Sequence, residues 1–599
     1  MKLVSPQNDS ANGDSVPAGL LRIEDCLDAE GDIALPPGAT LTSLIDRNVV
    51  HLGDSVAYRY LDFTRSEQGE ALELTWRQLG TRMRAIGAEL QRIAARGERV
   101  AVLAPQGLDY VTGFFATVKA GLIAVPLFAP ELPGHAERLD TALHDARPSV
   151  ILTTSSAAGR VREFLADVAL DPAPAVLDID RIPDAASERF SEVDIDLADV
   201  SHLQYTSGAT RPPIGIEVTH RAVGTNLIQM ILSIDLLDRN TCGVSWLPLY
   251  HDMGLSMIGF PAVYGGHSTL MSPTAFVRRP QRWITAMSAE GRVGKVVSAA
   301  PNFAYEWAAA RGLPAAGDDV DLGNVVLIIG SEPVSMAAID TFTEAFAPYG
   351  LSPTAMKPSY GIAEATLFVA TIAPDARPAA VFVDREALNA GTVVPVPADH
   401  PGAVAHVSCG RPARSLSCVI VDPESGAELP DGRVGEIWLH GDNVGRGYWN
   451  RPDETRATFG ATLAGRTEPW LRSSDLGFYL NGELYVTGRM ADLITTAGRH
   501  HYPQDIEHTA ADASPLVRRG YVAAFGTADG VVIVAERATG TARSDPAPAI
   551  DAIRAAVSIE HDVVAADVRL VPAGALARTT SGKLARRACQ AQYTSGVFG

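Results

Sequence analysis

A short run of hydroxyl residues around one glycine is the strongest chemical signal in this sequence. Thr206, Ser207, Gly208 and Thr210 stand within Gln204–His220, where an apolar run turns polar. Side-chain oxygens and open backbone N–H groups on such a loop can wrap a polyphosphate. Runs of Ser, Thr and Gly are also common in ordinary turns, so this segment alone favours a plain turn.

A second loop of small residues stands near the far end of the chain. Its sequence, Arg578 to Lys583, is Arg-Thr-Thr-Ser-Gly-Lys. A lysine ammonium is a compact cation suited to phosphate chemistry, although most lysines are solvated surface residues. The two loops together predict one nucleotide site that is assembled from distant parts of the chain.

Length and composition are typical of a soluble enzyme. The chain has 599 residues, 46% of them apolar and 20% charged, which predicts about three to four structural units. Its 50 basic and 70 acidic residues give a net charge of −20, which disfavours nucleic acid and anionic membranes as partners. Five cysteines lie far apart without metal-ligand or redox spacing, and we interpret them as buried residues of a reducing compartment. We therefore expect a cytoplasmic protein.

The elements that position the two loops follow from the apolar pattern. Short β-branched runs at 99–104, 149–153 and 324–329 predict buried strands that alternate with helical stretches. The most apolar window, Tyr110–Phe128, contains Lys119 and Pro126, so we interpret it as a buried helix followed by a strand and expect no integral membrane segment. This alternation predicts α/β layers with a parallel sheet.

The pattern starts again after about Gly488, where two strands, at 521–525 and 531–535, precede a helix. We predict a loose tail over residues 1–19, a large N-terminal domain of layered α/β sheets over 20–488, and a small α+β C-terminal domain over 489–599 that carries Lys583.

Ten motifs in order resemble the adenylate-forming (acyl-activating) superfamily, and within it the fatty acyl-AMP ligases. They are Gln204–His220, Trp246–Gly254, Ser298–Phe303, Ile329–Pro333, Lys357–Thr366, Ser408–Pro412, Trp470–Gly477, Thr487–Arg489, Gly498–Asp505 and the Lys583 loop. The resemblance covers nearly the whole chain after the tail. It is greatest to actinobacterial ligases that load very long acyl chains onto mycolate-type polyketide synthases.

The resemblance implies two half-reactions and a C-terminal domain that rotates between them. A long-chain fatty acid and ATP give an acyl-adenylate and pyrophosphate; the acyl group then passes to the phosphopantetheine thiol of an acyl carrier protein or a polyketide synthase carrier domain. An anionic carboxylate attacks an anionic phosphate, so the site must supply positive charge and placement. Lys583 is the expected catalytic residue. His251 is either a second one, which steers the carboxylate, or a satisfied core histidine.

The family also implies the nucleotide contacts, which are carried over position by position. Thr206, Ser207, Gly208 and Thr210 resemble its phosphate loop. The other expected ATP- and AMP-binding residues are Ser331, Glu332, Pro333, Tyr360, Gly361, Asp475 and Arg489. In this assignment the Tyr360 ring lies against adenine and Asp475 accepts hydrogen bonds from the ribose. Glu364 matches the family's Mg²⁺-linked carboxylate, a ligand that this ion prefers.

Three departures from the family pattern bear on these assignments. Arg211 and Ile214 replace the glycine and lysine of the wider superfamily, as is common in fatty acyl-AMP ligases. Ser473 and Ser474 replace a Thr-Gly pair beside Asp475, which predicts a shifted turn. Ala491 stands at the usual charged pivot of domain rotation, so the identity of the pivot stays open.

A long connection follows Glu364, and its segment at about 373–404 has two interpretations. It is either the insertion for which fatty acyl-AMP ligases are known, which packs on the large domain and impedes the CoA-using conformation, or a surface loop tolerated at little cost.

The acyl chain needs a dry tunnel, and apolar residues near the motifs are the candidates for its wall. They are Trp246, Met253, Phe260, Pro301 and Phe303. Any core requires apolar residues too, so this assignment has a plain alternative. Two other functions fit the same sequence: a long-chain acyl-CoA synthetase, and a catalytically silent protein that binds a nucleotide or an acyl-adenylate.

Overall fold

Two large sheets organise the first three quarters of the chain in a computed structural model that describes residues 20–130, 135–206, 213–496, 499–579 and 582–598. The first sheet has seven strands, in the spatial order Gly447–Tyr448, Gly215–Thr219, Val200–Tyr205, Ile123–Pro126, Arg99–Val102, Val150–Thr153 and Ala175–Asp178. The second has nine strands, in the order Arg411–Pro412, Phe368–Thr371, Met356–Gly361, Val325–Ile329, Val296–Ala300, Cys242–Ser245, His267–Met271, Val56–Asp62 and Glu70–Thr75.

Parallel pairing in the middle of each sheet explains why the strand sequences are so apolar. Arg99–Val102 pairs in parallel with both of its neighbours, and Val100, Ala101 and Val102 are fully buried. A parallel strand covered by helices on both faces has no solvent side and therefore lacks alternation. The predicted strands near 99, 149 and 324 are confirmed.

Helices cover the faces of the two sheets. They are Leu41–Leu52, Trp76–Gln91, Leu108–Lys119, Ala136–Ala146, Ala158–Val168, His220–Ser233, Asp252–Tyr264, Pro273–Arg278, Gln281–Gly291, Asn302–Arg311 and Met336–Phe346. The most apolar window is a buried helix, Leu108–Lys119, followed by the strand Ile123–Pro126, as predicted. Among the described residues, no helix is both long and apolar enough to span a bilayer.

A smaller antiparallel sheet carries the motif around Asp475. Its strands are Leu416–Val421, Gly435–Gly441, Pro469–Leu480, Ala461–Thr462 and Glu483–Arg489, and the helix Pro452–Phe459 lies beside it. The segment at about 373–404 contributes the strand Ala380–Asp384, which pairs with Ala403–Val407, and the short helix Arg385–Asn389.

The last hundred residues have a hydrophobic core of their own, around Ile506, Ile533 and Ile553. The strands are Ile494–Thr496, Arg499–His501, Val517–Thr527, Gly530–Arg537 and Ala565–Val571, and the helices are Pro503–Asp512, Ala547–His561 and Arg586–Thr594. This mixture confirms the predicted fold class, layered α/β sheets followed by a small α+β part. The predicted boundary between residues 488 and 489 lies at the end of the strand Glu483–Arg489.

Candidate active site

A cavity of about 230 Å³ lies between the large and small parts of the chain. The large part contributes Ser331, Glu332, Pro333, Tyr360, Gly361 and Asp475 to its lining, and the C-terminal part contributes Lys583, Leu584 and Arg586. Arg489 lines it at the junction. Most of the residues predicted for the nucleotide therefore meet in one space, which we call the nucleotide cavity.

Asp475 is the buried carboxylate of the nucleotide cavity. One of its oxygens accepts a hydrogen bond from the Tyr360 hydroxyl at 2.8 Å, and the other accepts one from Arg489 Nε at 3.2 Å. Burial raises the pKa of Asp475, and the Arg489 guanidinium opposes that change. The two oxygens thus already act as a paired acceptor, the role that a ribose diol requires.

A serine, Ser474, stands in the turn before Asp475 where the family pattern has glycine. Ser474 has φ 61°, a left-handed conformation that costs a non-glycine residue energy. Its N–H donates to Glu436 Oε1 at 3.1 Å, and Arg472 donates to the other oxygen of Glu436 at 2.8 Å. Strand register shifts at this point, between Glu436 and Trp438. A buried glutamate thus holds a β-bulge here.

The loop of Lys583 is fixed by its own backbone. The Thr579 N–H donates to the Lys583 carbonyl at 2.8 Å, and the Lys583 N–H donates to Thr579 Oγ1 at 3.1 Å. Gly582 has φ +82°, which favours glycine, and its backbone lies against the ring of Phe303. These contacts leave the amine of Lys583 free of any part in shaping the loop.

The Lys583 ammonium faces three carboxylates of the large part, those of Asp252, Glu332 and Asp475. Loss of solvent lowers the pKa of Lys583, and the three carboxylates oppose that change. The structure therefore brings the C-terminal lysine into the cleft of the large part, as the two-loop prediction requires.

The floor of the nucleotide cavity depends on a close approach of two backbones. A Cβ atom on Gly361 would lie 2.0 Å from the Leu367 carbonyl oxygen, so no larger residue fits. Glu332 Oε1 accepts from the Asn302 N–H at 2.9 Å, which ties Ser331–Pro333 to the start of the helix Asn302–Arg311. Burial raises the pKa of Glu332.

Glu364 lies beside this floor, in the turn that follows Gly361. Its Oε1 accepts a hydrogen bond from the Tyr448 hydroxyl at 3.0 Å, and its charge acts on Arg489. An oxygen donor next to a triphosphate site suits Mg²⁺, which takes one or two carboxylates together with phosphate oxygens and water. Sequence reasoning missed Tyr448, since no local pattern links residues so far apart.

The phosphate loop is described only at its two ends. The Thr206 N–H donates to the Ile214 carbonyl at 3.2 Å, which closes a hairpin between Val200–Tyr205 and Gly215–Thr219. Ser207, Gly208 and Thr210 lie outside the described residues, so their predicted roles stay predictions.

His251 and its neighbour Asp252 stand at the start of the helix Asp252–Tyr264. His251 Nδ1 lies 3.1 Å from Asp252 Oδ1, and that oxygen also accepts the Met253 N–H at 2.7 Å. Burial opposes ionisation of Asp252, but the bonds to His251 and the charge of Lys583 outweigh it and lower its pKa. Asp252 links His251 electrostatically to Lys583, a role that sequence reasoning missed.

Two small apolar cavities lie near the nucleotide cavity. The first, of about 30 Å³, is lined by Met230, Met253 and Phe368 and shares Tyr360 and Gly361 with the nucleotide cavity. The second, of about 40 Å³, shares Leu367 with the first and is lined mainly by Phe114, Phe115, Val223, Leu227, Leu255 and Ile258. We call them the outer and inner acyl cavities.

Of the five residues predicted for the acyl chain, only Met253 lines these two cavities. Trp246 stacks on Phe276 with ring centroids 4.1 Å apart, and Phe260 lies in the main core. Pro301 precedes the helix Asn302–Arg311, and Phe303 touches the Lys583 loop. Much of the remaining wall comes from Phe114, Phe115, Val223 and Leu227, on two helices whose apolar residues no motif marks.

The segment at 373–404 contacts both parts of the chain. Val383, Leu388 and Val393 pack with Phe478 and Tyr485 of the large part. At its start, the buried Lys357 Nζ donates to the carbonyls of Ala373 and Pro374 at 3.0 and 2.6 Å.

The same segment also reaches the C-terminal part. Arg385 donates a hydrogen bond to the Glu560 carbonyl, and its guanidinium lies 3.9 Å from the Glu560 carboxylate. The segment is therefore a packed module that joins the two parts, and not an unattached surface loop.

The junction has a charged anchor on each side of Ala491. Upstream, Arg489 is held by Asp475 of the large part. Downstream, Asp492 Oδ2 lies 3.2 Å from Arg586 of the C-terminal part, and Arg586 also pairs with Glu507 at 2.6 Å. Ala491 itself is exposed.

Comparisons with known proteins agree with this geometry. The AMP-binding enzyme family model matches residues 45–449, and the model for the AMP domain of Disco-interacting protein 2-like proteins matches residues 491–598. The chain is 45% identical to the long-chain-fatty-acid–AMP ligase FadD32 of Mycolicibacterium smegmatis, over 95% of this chain and 96% of that protein. It is 40% identical to FadD26 of Mycobacterium tuberculosis, another long-chain-fatty-acid–AMP ligase, over 93% of this chain and 98% of that one.

A solved structure from a study of fatty acyl-adenylate ligases of E. coli and L. pneumophila superposes with a TM-score of 0.81 at 29% identity, covering 94% of this chain and 99% of the other. The chain belongs to the long-chain-fatty-acid–AMP ligases of the AMP-binding enzyme family.

Proposed function

We propose that this ligase converts a long-chain fatty acid and ATP into an acyl-adenylate and pyrophosphate, and then passes the acyl group to the phosphopantetheine thiol of a carrier protein. The observation that carries the proposal is the meeting of Lys583 with Asp475 and Tyr360 in one cavity, which shares lining residues with the outer acyl cavity. We assign the reaction to the cytoplasm, where ATP is available.

In the first half-reaction a carboxylate oxygen attacks the α-phosphorus, and the bond from that phosphorus to the bridging oxygen of pyrophosphate breaks. Negative charge moves from the attacking carboxylate to the bridging oxygen of pyrophosphate, so a cation placed beside the α-phosphate brings the two anions together and favours the transition state over the ground state. Lys583 is a cation that the C-terminal part contributes to the cavity, and Arg586, the other, is paired with Asp492 and Glu507. His251, held by Asp252, faces the carboxylate from the side of the large part.

The nucleotide is held from the large part. The Tyr360 ring and the backbone of Ser331–Pro333 border the adenine, and Asp475 receives the ribose hydroxyls. Arg489, paired with Asp475 through Nε, would contact the ribose or the phosphates from the junction. Glu364 is the residue that would hold Mg²⁺, which would supply charge neutralisation to the phosphates when bound.

The inserted segment favours a carrier thiol over CoA as acceptor. It packs on the large part through Val383 and Leu388 and bonds Glu560 through Arg385. Rotation of the C-terminal part must break the bond between Arg385 and Glu560, while the packing of Val383 and Leu388 on the large part stays. A tethered carrier offers its thiol at a high effective concentration and can offset this cost, whereas free CoA cannot.

ATP–pyrophosphate exchange driven by fatty acids of increasing length tests the first half-reaction. Exchange with long chains supports the proposal, and no exchange with any fatty acid, from protein shown to be folded, would favour a silent binding protein.

Thioester formation tests the acceptor, with a holo carrier protein and CoA compared at equal concentration. We expect the thioester on the carrier. A faster reaction with CoA would identify an acyl-CoA synthetase instead.

A further inference from the structure

Polar side chains form part of the wall of the inner acyl cavity. Beside its apolar residues, the cavity is lined by His202, Gln204, Asn226, Asp252, Ser256 and Thr366. An unsubstituted alkyl chain forms no hydrogen bonds, so each of these buried polar groups needs a partner in the protein or in the ligand. Gln204 comes from the strand Val200–Tyr205, and none of the roles described above uses it.

The other five polar side chains each have at least one partner in the protein. Asn226 uses both ends of its amide: Nδ2 donates to the Phe368 carbonyl at 2.9 Å, and Oδ1 accepts from the Phe368 N–H at 3.0 Å. The remaining bonds join the Thr366 hydroxyl to the Asn443 carbonyl at 2.8 Å, the Ser256 hydroxyl to the Met253 carbonyl at 2.9 Å, Asp252 Oδ1 to the Met253 N–H at 2.7 Å, and His202 Nδ1 to the Ser201 hydroxyl at 3.3 Å.

Gln204 is satisfied at only one end of its amide. The residue is 2% exposed, and its Nε2 donates to the Tyr250 carbonyl at 3.1 Å and to the Tyr205 carbonyl at 3.4 Å. These two acceptors fix the orientation of the amide, because a flipped amide would place its oxygen against two carbonyl oxygens. Within the part of the chain that the structure describes, no group bonds to Gln204 Oε1. Burial of an unbonded amide oxygen costs free energy, which a donor on a bound ligand would recover.

We propose that the inner acyl cavity selects acyl chains that carry a hydroxyl group, and that Gln204 Oε1 accepts the hydrogen bond from that hydroxyl. This inference rests on the proposed function and narrows its substrate from long-chain fatty acids in general to hydroxylated ones. A hydroxyl supplies the missing donor, while the rest of the chain meets the side chains of Phe115, Leu227 and Ile258. A keto oxygen would bring a second acceptor and no donor.

The test measures kcat/KM in ATP–pyrophosphate exchange for hexadecanoic acid and for a series of monohydroxyhexadecanoic acids, in which the hydroxyl is moved along the chain from the second carbon to the last. We expect the acid whose hydroxyl reaches Gln204 to be used about 10- to 100-fold better than hexadecanoic acid, because it pairs an acceptor that is otherwise buried and unbonded.

Two variants assign this preference to Gln204. Gln204→Met keeps the length of the side chain and removes the acceptor, so the ratio of kcat/KM between the hydroxy acid and hexadecanoic acid should fall to about one or below. Thr117→Val is the matched control. It removes a buried hydroxyl that bonds the Gly113 carbonyl at 2.8 Å inside the helix Leu108–Lys119, and it should leave the ratio unchanged.

The ratio separates recognition of a hydroxyl from a structural role of the amide. Loss of the bond to Tyr250 alone would slow both acids equally, so equal losses in Gln204→Met would overturn the proposal. A preference for the hydroxy acid that persists in Gln204→Met would place its partner elsewhere and would also overturn it.

Two outcomes in the unmodified protein are decisive as well. If no hydroxy acid is used better than hexadecanoic acid, the selection of hydroxylated chains is refuted, whereas exchange with hexadecanoic acid still supports the proposed adenylation. Absence of exchange with every acid of the series, from protein shown to be folded, would refute the proposed function itself.

Discussion

Replacement of Lys583 by alanine separates catalysis from nucleotide binding. The backbone atoms of Lys583, and not its amine, fix the loop, so we expect the loop to keep its shape in Lys583→Ala. The adenine and ribose contacts come from Tyr360 and Asp475 of the large part, so we also expect ATP to bind. What is lost is a cation that acts most strongly when charge develops at the phosphorus.

The size of the effect follows from that position. Removal of one preorganised donor to a developing oxyanion costs about 10²- to 10³-fold in kcat, or about 2.7–4 kcal/mol. Because Lys583 faces three carboxylates, its removal leaves that side of the cavity more negative, and we expect a smaller loss of ATP affinity, less than about tenfold, or about 1.4 kcal/mol.

Two assays on the same preparations measure the two effects. ATP–pyrophosphate exchange gives the rate, and calorimetric titration with ATP gives the affinity. Lys295→Ala is the matched control, since Lys295 is a partly exposed lysine that bonds the Asp235 carbonyl at 2.7 Å, outside the nucleotide cavity. Equal losses of rate and ATP affinity in Lys583→Ala would refute the catalytic role, since they describe a residue that only binds the nucleotide.

Three other predictions follow from the contacts of the insertion, the inner acyl cavity and the buried histidines. Arg385→Ala should raise thioester formation with CoA while the exchange rate stays the same; an unchanged CoA rate would contradict the tie to Glu560. Leu255→Phe should fill the inner acyl cavity, and exchange assays should show preference moving to shorter fatty acids, whereas an unchanged profile would place the chain elsewhere. Burial lowers the pKa values of His202, His220 and His406 to about 3, 4 and 4. These histidines titrate near 6.5 when unfolded, so each should reduce the free energy of unfolding by up to about 1.4 kcal/mol per pH unit as the pH falls from about 6.5 towards 4; urea midpoints that stay constant from pH 7.5 to 5 would contradict this.

The sequence predicted those strands and helices whose signal is a local apolar run or a helical spacing of apolar residues. An apolar run predicted the strand Arg99–Val102, and helical spacing predicted the helix Leu108–Lys119. Both elements are buried, which is why their sequences are so apolar. Lys583 lines one cavity with Tyr360 and Asp475 of the large part, whereas the meeting of the two loops stays a prediction because residues 207–212 lie outside the described part of the chain.

Long-range contacts could not be predicted in the same way. The acyl cavities are lined by Phe114, Leu227 and Leu255, from three helices whose apolar residues look like any other core. The bulge before Asp475 depends on Glu436 from another strand, a contact that the Ser-Ser sequence alone did not reveal.

The anchors on each side of Ala491 have a consequence for how the enzyme cycles. Arg489 is paired with Asp475 of the large part, and Asp492 is paired with Arg586 of the small part. Each residue is therefore expected to move with the part that holds it. A rotation of the small part that keeps both ion pairs must therefore change the backbone dihedral angles of Met490 and Ala491. We therefore expect the pivot of the domain rotation at Met490 and Ala491, between the two ion pairs, without a charged side chain at 491.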